Sequence, residues 1–168
     1  KNMGIALYNN GQFDEAIKTY KEAIKINPEN APVYFDLGYA LYMKGLIDDA
    51  IKAYKEAIRV DPEHADAYNN LGLAFEDKGQ FDDAIKTYRV AIRINPMYSV
   101  AHLNIGNIFY NKGLLDDAIK SYKEAIRVDP EHADAYNNLG LVLKDKGQLD
   151  EAIKEYKEAI RINHKHAG

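Results

Sequence analysis

The sequence predicts an all-α protein built as a stack of helix-turn-helix repeats, and three observations predict it. A column of glycines, Gly4, Gly38, Gly72, Gly106 and Gly140, recurs every 34 residues. Alanines at Ala16, Ala50, Ala84, Ala118 and Ala152 keep the same step, as do tyrosines at Tyr20, Tyr54, Tyr88, Tyr122 and Tyr156. The run from Tyr54 to Leu73 also returns letter for letter as Tyr122 to Leu141. A fixed period of this size marks a quasi-one-dimensional stack, in which each unit buries its apolar face against its neighbours. The core is then a ribbon rather than a ball.

Taken in order, the repeats read as approximately 1–30, 31–64, 65–98, 99–132 and 133–166, forming one array over 1–168, with the first unit lacking its opening residues. Position 1 of a unit falls at Ala31, Ala65, Ser99 and Ala133. Within the third unit Tyr68, Leu71, Gly72 and Phe75 are spaced by three or four, one face of an amphipathic helix, termed A. Lys78-Gly79-Gln80 stops it, because glycine reaches positive φ without steric cost. A second helix, B, carries Ala84, Ile85, Tyr88, Ala91, Ile92 and Ile94 on its apolar side. Asp82 and Asp83 occupy its first turn, where acids favour the helix dipole, with Asp82 in reach of Lys86. Asn95-Pro96 ends it, since proline disfavours a helical residue before it and lacks the needed donor. The glycine at position 8 lies mid-helix, where it costs about 1 kcal/mol relative to alanine. Its recurrence predicts a close helix approach, with Gly72 facing the small Ala84.

Composition narrows the function classes. With 46% hydrophobic and 29% charged residues and five prolines, the chain reads as folded and soluble. A formal charge of −4 disfavours nucleic acid as a partner. The absence of cysteine removes disulfides, thiolate nucleophiles and cysteine metal sites. No apolar run approaches the roughly 18–20 residues that span a bilayer, and no signal-peptide pattern opens the chain. No membrane insertion is expected, and the cytoplasm is the favoured compartment. His164 and His166 make a poor metal site alone, Ser99 and Ser121 have no base in the pattern, and no glycine-rich phosphate loop occurs. No catalytic residues, metal or cofactor are therefore expected, and the chain reads as a non-enzyme.

The columns resemble the tetratricopeptide repeat. Its aromatic at position 4 is Tyr34, Tyr68 and Tyr136, with His102 departing; Leu37-Gly38, Leu71-Gly72 and Leu139-Gly140 follow. Ala84, Tyr88, Ala91 and Pro96 complete the pattern. The resemblance covers essentially the whole chain. It implies a right-handed α-solenoid superhelix with A helices on the concave wall, acting as a scaffold that holds an extended peptide or a partner helix. In the family that groove is lined mainly by positions 2, 5, 6, 9, 12 and 13. Carried onto this sequence, the candidate peptide-binding residues are Asn2, Phe35, Asp36, Tyr39, Asn69, Asn70, Leu73, Leu103, Asn104, Asn107, Asn137 and Asn138.

Position 6 forms an asparagine ladder, Asn2, Asn70, Asn104 and Asn138, with Asp36 as an acidic rung. It resembles the ladder of O-linked N-acetylglucosamine transferase repeats. Such amides either bond a peptide main chain or tie neighbouring helices together. Phe35 and Tyr39 are candidate anchors, whereas Tyr42 and Tyr110 read as padding between helices. The family's carboxylate clamp is absent, because Lys1 is followed by Ile5, Asp36, Asp66 and Asn70 where the clamp needs other residues.

On helix B, positions 22, 25 and 29 are basic in every unit, a stripe that reads as a solvated face neutralised by neighbouring acids. The opening at Lys1 and the lack of a helix after Ile162 leave two further readings. One is a self-assembly module whose repeat ends meet other copies, giving a homo-oligomer. The other is the recognition arm of a larger enzyme such as a glycosyltransferase.

Overall fold

The computed structural model describes residues 12–166, and within them all regular structure is helical. The helices are α1 (Phe13–Ile26), α2 (Ala31–Met43), α3 (Ile47–Val60), α4 (Ala65–Asp77), α5 (Phe81–Ile94), α6 (Ser99–Asn111), α7 (Leu115–Val128), α8 (Ala133–Asp145) and α9 (Leu149–His166). Asn2 lies outside the described residues. The helices fall into two compact units, Lys1–Ile94 and Asn95–Gly168. In the first, α2 pairs with α3 and α4 with α5, while α1 packs on α2 and α3 on α4. In the second, α6 pairs with α7 and α8 with α9, and α7 packs on α8. A and B helices thus alternate as the repeat predicts, each B helix meeting the A helix of the next repeat within its unit.

Small and large residues interlock in these cores. In the first unit Ala16, Ile17 and Tyr20 of α1 form one apolar cluster with Val33, Leu37, Ala40 and Leu41 of α2, and the cluster continues through Ala50, Ile51 and Tyr54 to Leu71 and Ala74. In the second, Ala118 and Tyr122 meet Leu139, Val142, Leu143 and Ala152. The tyrosines Tyr20, Tyr54, Tyr88 and Tyr122 are all but fully buried.

The mid-helix glycines do make a close approach, but not to the alanine column. A Cβ on Gly72 would sit 2.5 Å from Cε1 of Tyr88, and one on Gly106 2.5 Å from Cε1 of Tyr122. The tyrosine lies four residues beyond the alanine on helix B, one turn further along the same face. Its ring lies flat over the space a side chain would fill, so the glycine accommodates an aromatic ring rather than a backbone. A second expectation also shifts by one residue: Lys86 pairs with Asp83 at 3.7 Å, at i,i+3 spacing, and not with Asp82.

The punctuation follows the sequence. Gly79 takes φ +71, its N–H bonds Glu76 O at 2.8 Å, and the N–H of Gln80 reaches back to Phe75 O at 2.8 Å. These bonds satisfy carbonyls left open by the end of α4. After the B helices, the side chains of Asn27, Asp61, Asn95 and Asp129 each accept the backbone N–H two residues on. These local bonds turn the chain towards the next A helix. Asn30 then caps α2 by accepting Val33 N–H at 3.3 Å, and His64 caps α4 through Nδ1 to Ala67 N–H at 3.3 Å. Where His164 replaces the column's proline, nothing stops the helix, and α9 runs for 18 residues against 14 in the other B helices.

Candidate peptide-binding surface

In the first unit the candidate residues lie on α2 and α4. Phe35 is half-buried, with its ring stacked on His64 at 4.9 Å between centroids and tilted against Tyr54 at 6.1 Å. It packs at a repeat junction. Asp36 is half-buried, and its charge joins burial in pushing the Tyr20 phenol up to about 12. Tyr39 and Met43, one turn apart on α2, are the open part of this surface, at 36% and 48% exposure. On α4, Asn69 is buried and donates to Asn70 at 3.3 Å, while Asn70 and Leu73 are half-buried.

In the second unit Leu103 is half-buried against the core and Asn104 is buried. Asn107 Oδ1 accepts two hydrogen bonds, from the Tyr122 hydroxyl at 2.8 Å and from Asn138 Nδ2 at 3.0 Å. One amide therefore knits α6, α7 and α8 together. Asn137 is exposed and donates to Asn138 at 3.4 Å. Of the two uses open to the asparagine column, helix tying is visible between Asn107 and Asn138.

The position-12 tyrosines tie adjacent A helices. Tyr110 donates to Asp145 at 2.7 Å, and Tyr42 bonds Asp77. Burial first, then that bond and the charges of Asp77 and Glu76, raises the Tyr42 phenol above its ordinary value. Tyr88 donates to Glu76 at 3.0 Å, and burial raises both groups. His102, in the aromatic column, is half-buried, and burial lowers its imidazole pKa.

On the B side about half of the basic stripe is paired within its own helices. Lys52 meets Asp49 at 2.8 Å, Arg59 meets Glu56 at 2.9 Å, Arg127 meets Glu124 at 2.9 Å and Arg161 meets Glu158 at 2.7 Å. A second set crosses between repeats: Lys44 to Asp14, Lys78 to Asp48 and Lys146 to Asp116, each 30 residues apart. These pairs lie at the solvent-facing surface, where an ion pair adds little to stability.

Among the described residues a pocket of about 280 Å³ is lined by Tyr34, Leu37, Leu41 and Ala53 together with Lys21, Lys52, Asp49 and Glu56. Its sequence signal is Ala53, where the other repeats carry Thr19, Thr87, Ser121 and Glu155. Among the described residues, no cluster of three His, Asp or Glu is placed to hold a metal ion, and no helix is long and apolar enough to cross a membrane.

Comparisons place this geometry. The family model described as the C-terminal domain of cilia and flagella-associated protein 70 matches residues 30–168, and the TPR repeat model matches residues 4–45. A crystal structure of MamA is 34% identical, covering 98% of this chain and 96% of that one with a TM-score of 0.85. YrrB, described as a TPR protein with an unusual peptide-binding site, is 25% identical with a TM-score of 0.72, covering 99% of this chain and 86% of its own. A thermophilic TPR protein of Thermus thermophilus, TTC0263, at 24% identity and a TM-score of 0.73 over 99% of this chain and 94% of its own, shares the fold. No curated protein sequence matches the chain. With its paired helices, glycine-tyrosine contacts and period, the chain belongs to the tetratricopeptide-repeat family of α-solenoid protein-interaction scaffolds.

Proposed function

We propose that the chain binds an extended peptide along its A helices, and that α2 supplies the principal anchor. The observation that carries this is the pair Tyr39 and Met43, which expose apolar surface on one face of α2. The same columns hold Leu73 and Asp77 in α4, Asn107 and Asn111 in α6, and Leu141 and Asp145 in α8. No other described repeat places two large apolar groups there. An exposed aromatic beside a flexible thioether suits an apolar peptide side chain, because the ring gives a large contact area and the thioether adapts its shape to what it meets. The peptide-binding site of YrrB, a protein of the same fold, supports this reading.

A random-peptide display library selected on the 168-residue chain tests this. Selected peptides should lose about tenfold or more in affinity for Tyr39→Ala/Met43→Ala, the scale expected for removing apolar anchors. They should bind Lys86→Glu/Lys120→Glu, altered on the B side, unchanged. Enrichment that ignores Tyr39 and Met43, or none at all, would sink the proposal.

A further inference from the structure

The pocket between α1, α2 and α3 occupies a position that other repeats fill with their own side chains. In the third repeat the filling is a ring: Phe75 packs against the core, and Lys55 Nζ lies 5.7 Å from its centroid, within reach of a cation–π contact. Thr87 stands opposite on the paired helix α5. In the fifth repeat the filling is a carboxylate. Glu155 is half-buried; burial raises its carboxyl, and Lys123 supplies the largest opposing charge.

The second repeat has neither group. Leu41 stands in the column of Phe75, and Ala53 in that of Thr87 and Glu155, and both line the pocket of about 280 Å³. The cation is kept, because Lys21 shares the column of Lys55 and Lys123. The charges around the pocket are unevenly matched. Asp49 is held by Lys52 at 2.8 Å and Glu56 by Arg59 at 2.9 Å, whereas Lys21 has no ion-pair partner among the described residues. One uncompensated positive charge thus stands beside the buried apolar side chains of Leu37, Leu41 and Ala53.

We propose that this pocket binds a small aromatic carboxylate, with its ring on Leu41 and Ala53 and its carboxylate at Lys21. The two halves of such a ligand are what the chain itself supplies elsewhere, a ring beside Lys55 and a carboxylate beside Lys123. The volume of about 280 Å³ suits one ring on a short tether, since sites for larger ligands run to roughly 300–1,000 Å³. A longer chain would leave the apolar floor and meet the Lys52–Asp49 and Glu56–Arg59 pairs, so a free acid fits better than a stretch of polypeptide. Tyr34, Leu37 and Leu41 share one face of α2, and Tyr39 and Met43 lie on the opposite face. The site is therefore separate from the peptide anchor proposed above.

The test is an amide NMR titration of the 168-residue chain with hydrocinnamate, a phenyl ring two carbons from a carboxylate. Saturable shifts are expected at Leu41, Ala53 and their neighbours. Leu41→Phe/Ala53→Thr, which copies Phe75 and Thr87 into the pocket, should weaken binding about tenfold or more without lowering the melting temperature. Lys21 is exposed, so Lys21→Gln should fold as the parent does and weaken binding about threefold, the scale of an exposed ion pair. Phenylpropylamine, with the charge reversed, should bind more weakly than hydrocinnamate by at least the same factor. The proposal is overturned by shifts that do not saturate, by indifference to the filled pocket or to Lys21→Gln, or by equal binding of the amine. Tighter binding of acetyl-glycyl-phenylalanine than of hydrocinnamate would also overturn it, assigning the pocket to a polypeptide end.

Discussion

At Gly72 one hydrogen atom decides how the repeat packs. Alanine there would bring its Cβ to 2.5 Å from the Tyr88 ring, which is fully buried and held by its hydroxyl on Glu76. Overpacking of this kind costs about 1–3 kcal/mol, against roughly 1 kcal/mol gained from better helix propensity. Urea unfolding of Gly72→Ala should therefore show a net loss of about 1 kcal/mol. In a Tyr88→Ala background the ring is gone, and the same change should stabilise instead. An equal effect in both backgrounds would disprove the contact. Both columns were legible in the sequence, sixteen residues apart in every complete unit. Their contact was not, because spacing shows that a mid-helix glycine requires a close neighbour without saying which of two small or flat side chains supplies it.

At the scale of the element, Gly79 shows a different use of the same residue. Its φ is +71 and a Cβ there would meet nothing within 4 Å, so any cost of substitution is purely backbone. Gly79→Ala should lower stability by about 1–2 kcal/mol, and Gly79→Asn by less, because asparagine tolerates the left-handed region. Thermal melts that rank asparagine below alanine would contradict this. The turn was legible because its determinants lie within three residues. The asparagines of the A helices were not equally legible. Asn69 and Asn137 share a column and an identical local sequence, yet the first is buried and the second exposed. Their surroundings differ through the preceding A helix, Phe35 and Tyr39 on α2 against Leu103 and Asn107 on α6.

Across the whole molecule, Tyr20, Tyr42, Tyr88, Tyr110 and Tyr136 shape the response to alkali. Burial, with the Asp36 charge, raises Tyr20 to about 12, and burial with Glu76 raises Tyr88 further. Tyr42 and Tyr136 are raised mainly by burial, Tyr110 mainly by its bond to Asp145. The fold thus favours the protonated phenols over their ordinary value of 10.0. Their contribution is full below pH 10, falls as the unfolded chain begins to release protons, and for Tyr20 is lost by about pH 12. Absorbance at 295 nm should show the Tyr20 and Tyr88 phenols still protonated above pH 10 and ionising only as helical circular dichroism collapses. A single transition near pH 10 with the helices intact would refute it.

What the sequence by itself determined is everything whose cause lies within one repeat: the period, the all-helical class, the glycine and proline stops, and the amphipathic faces. Local propensity and chain geometry suffice for those. The tertiary structure decided how those faces are used: a tyrosine ring over each described mid-helix glycine, a basic stripe paired at about half of its positions, and the Asn107 amide shared among three helices. Each depends on what a neighbouring repeat places against a side chain. Identical letters therefore acquire different exposure and different work wherever the neighbours differ.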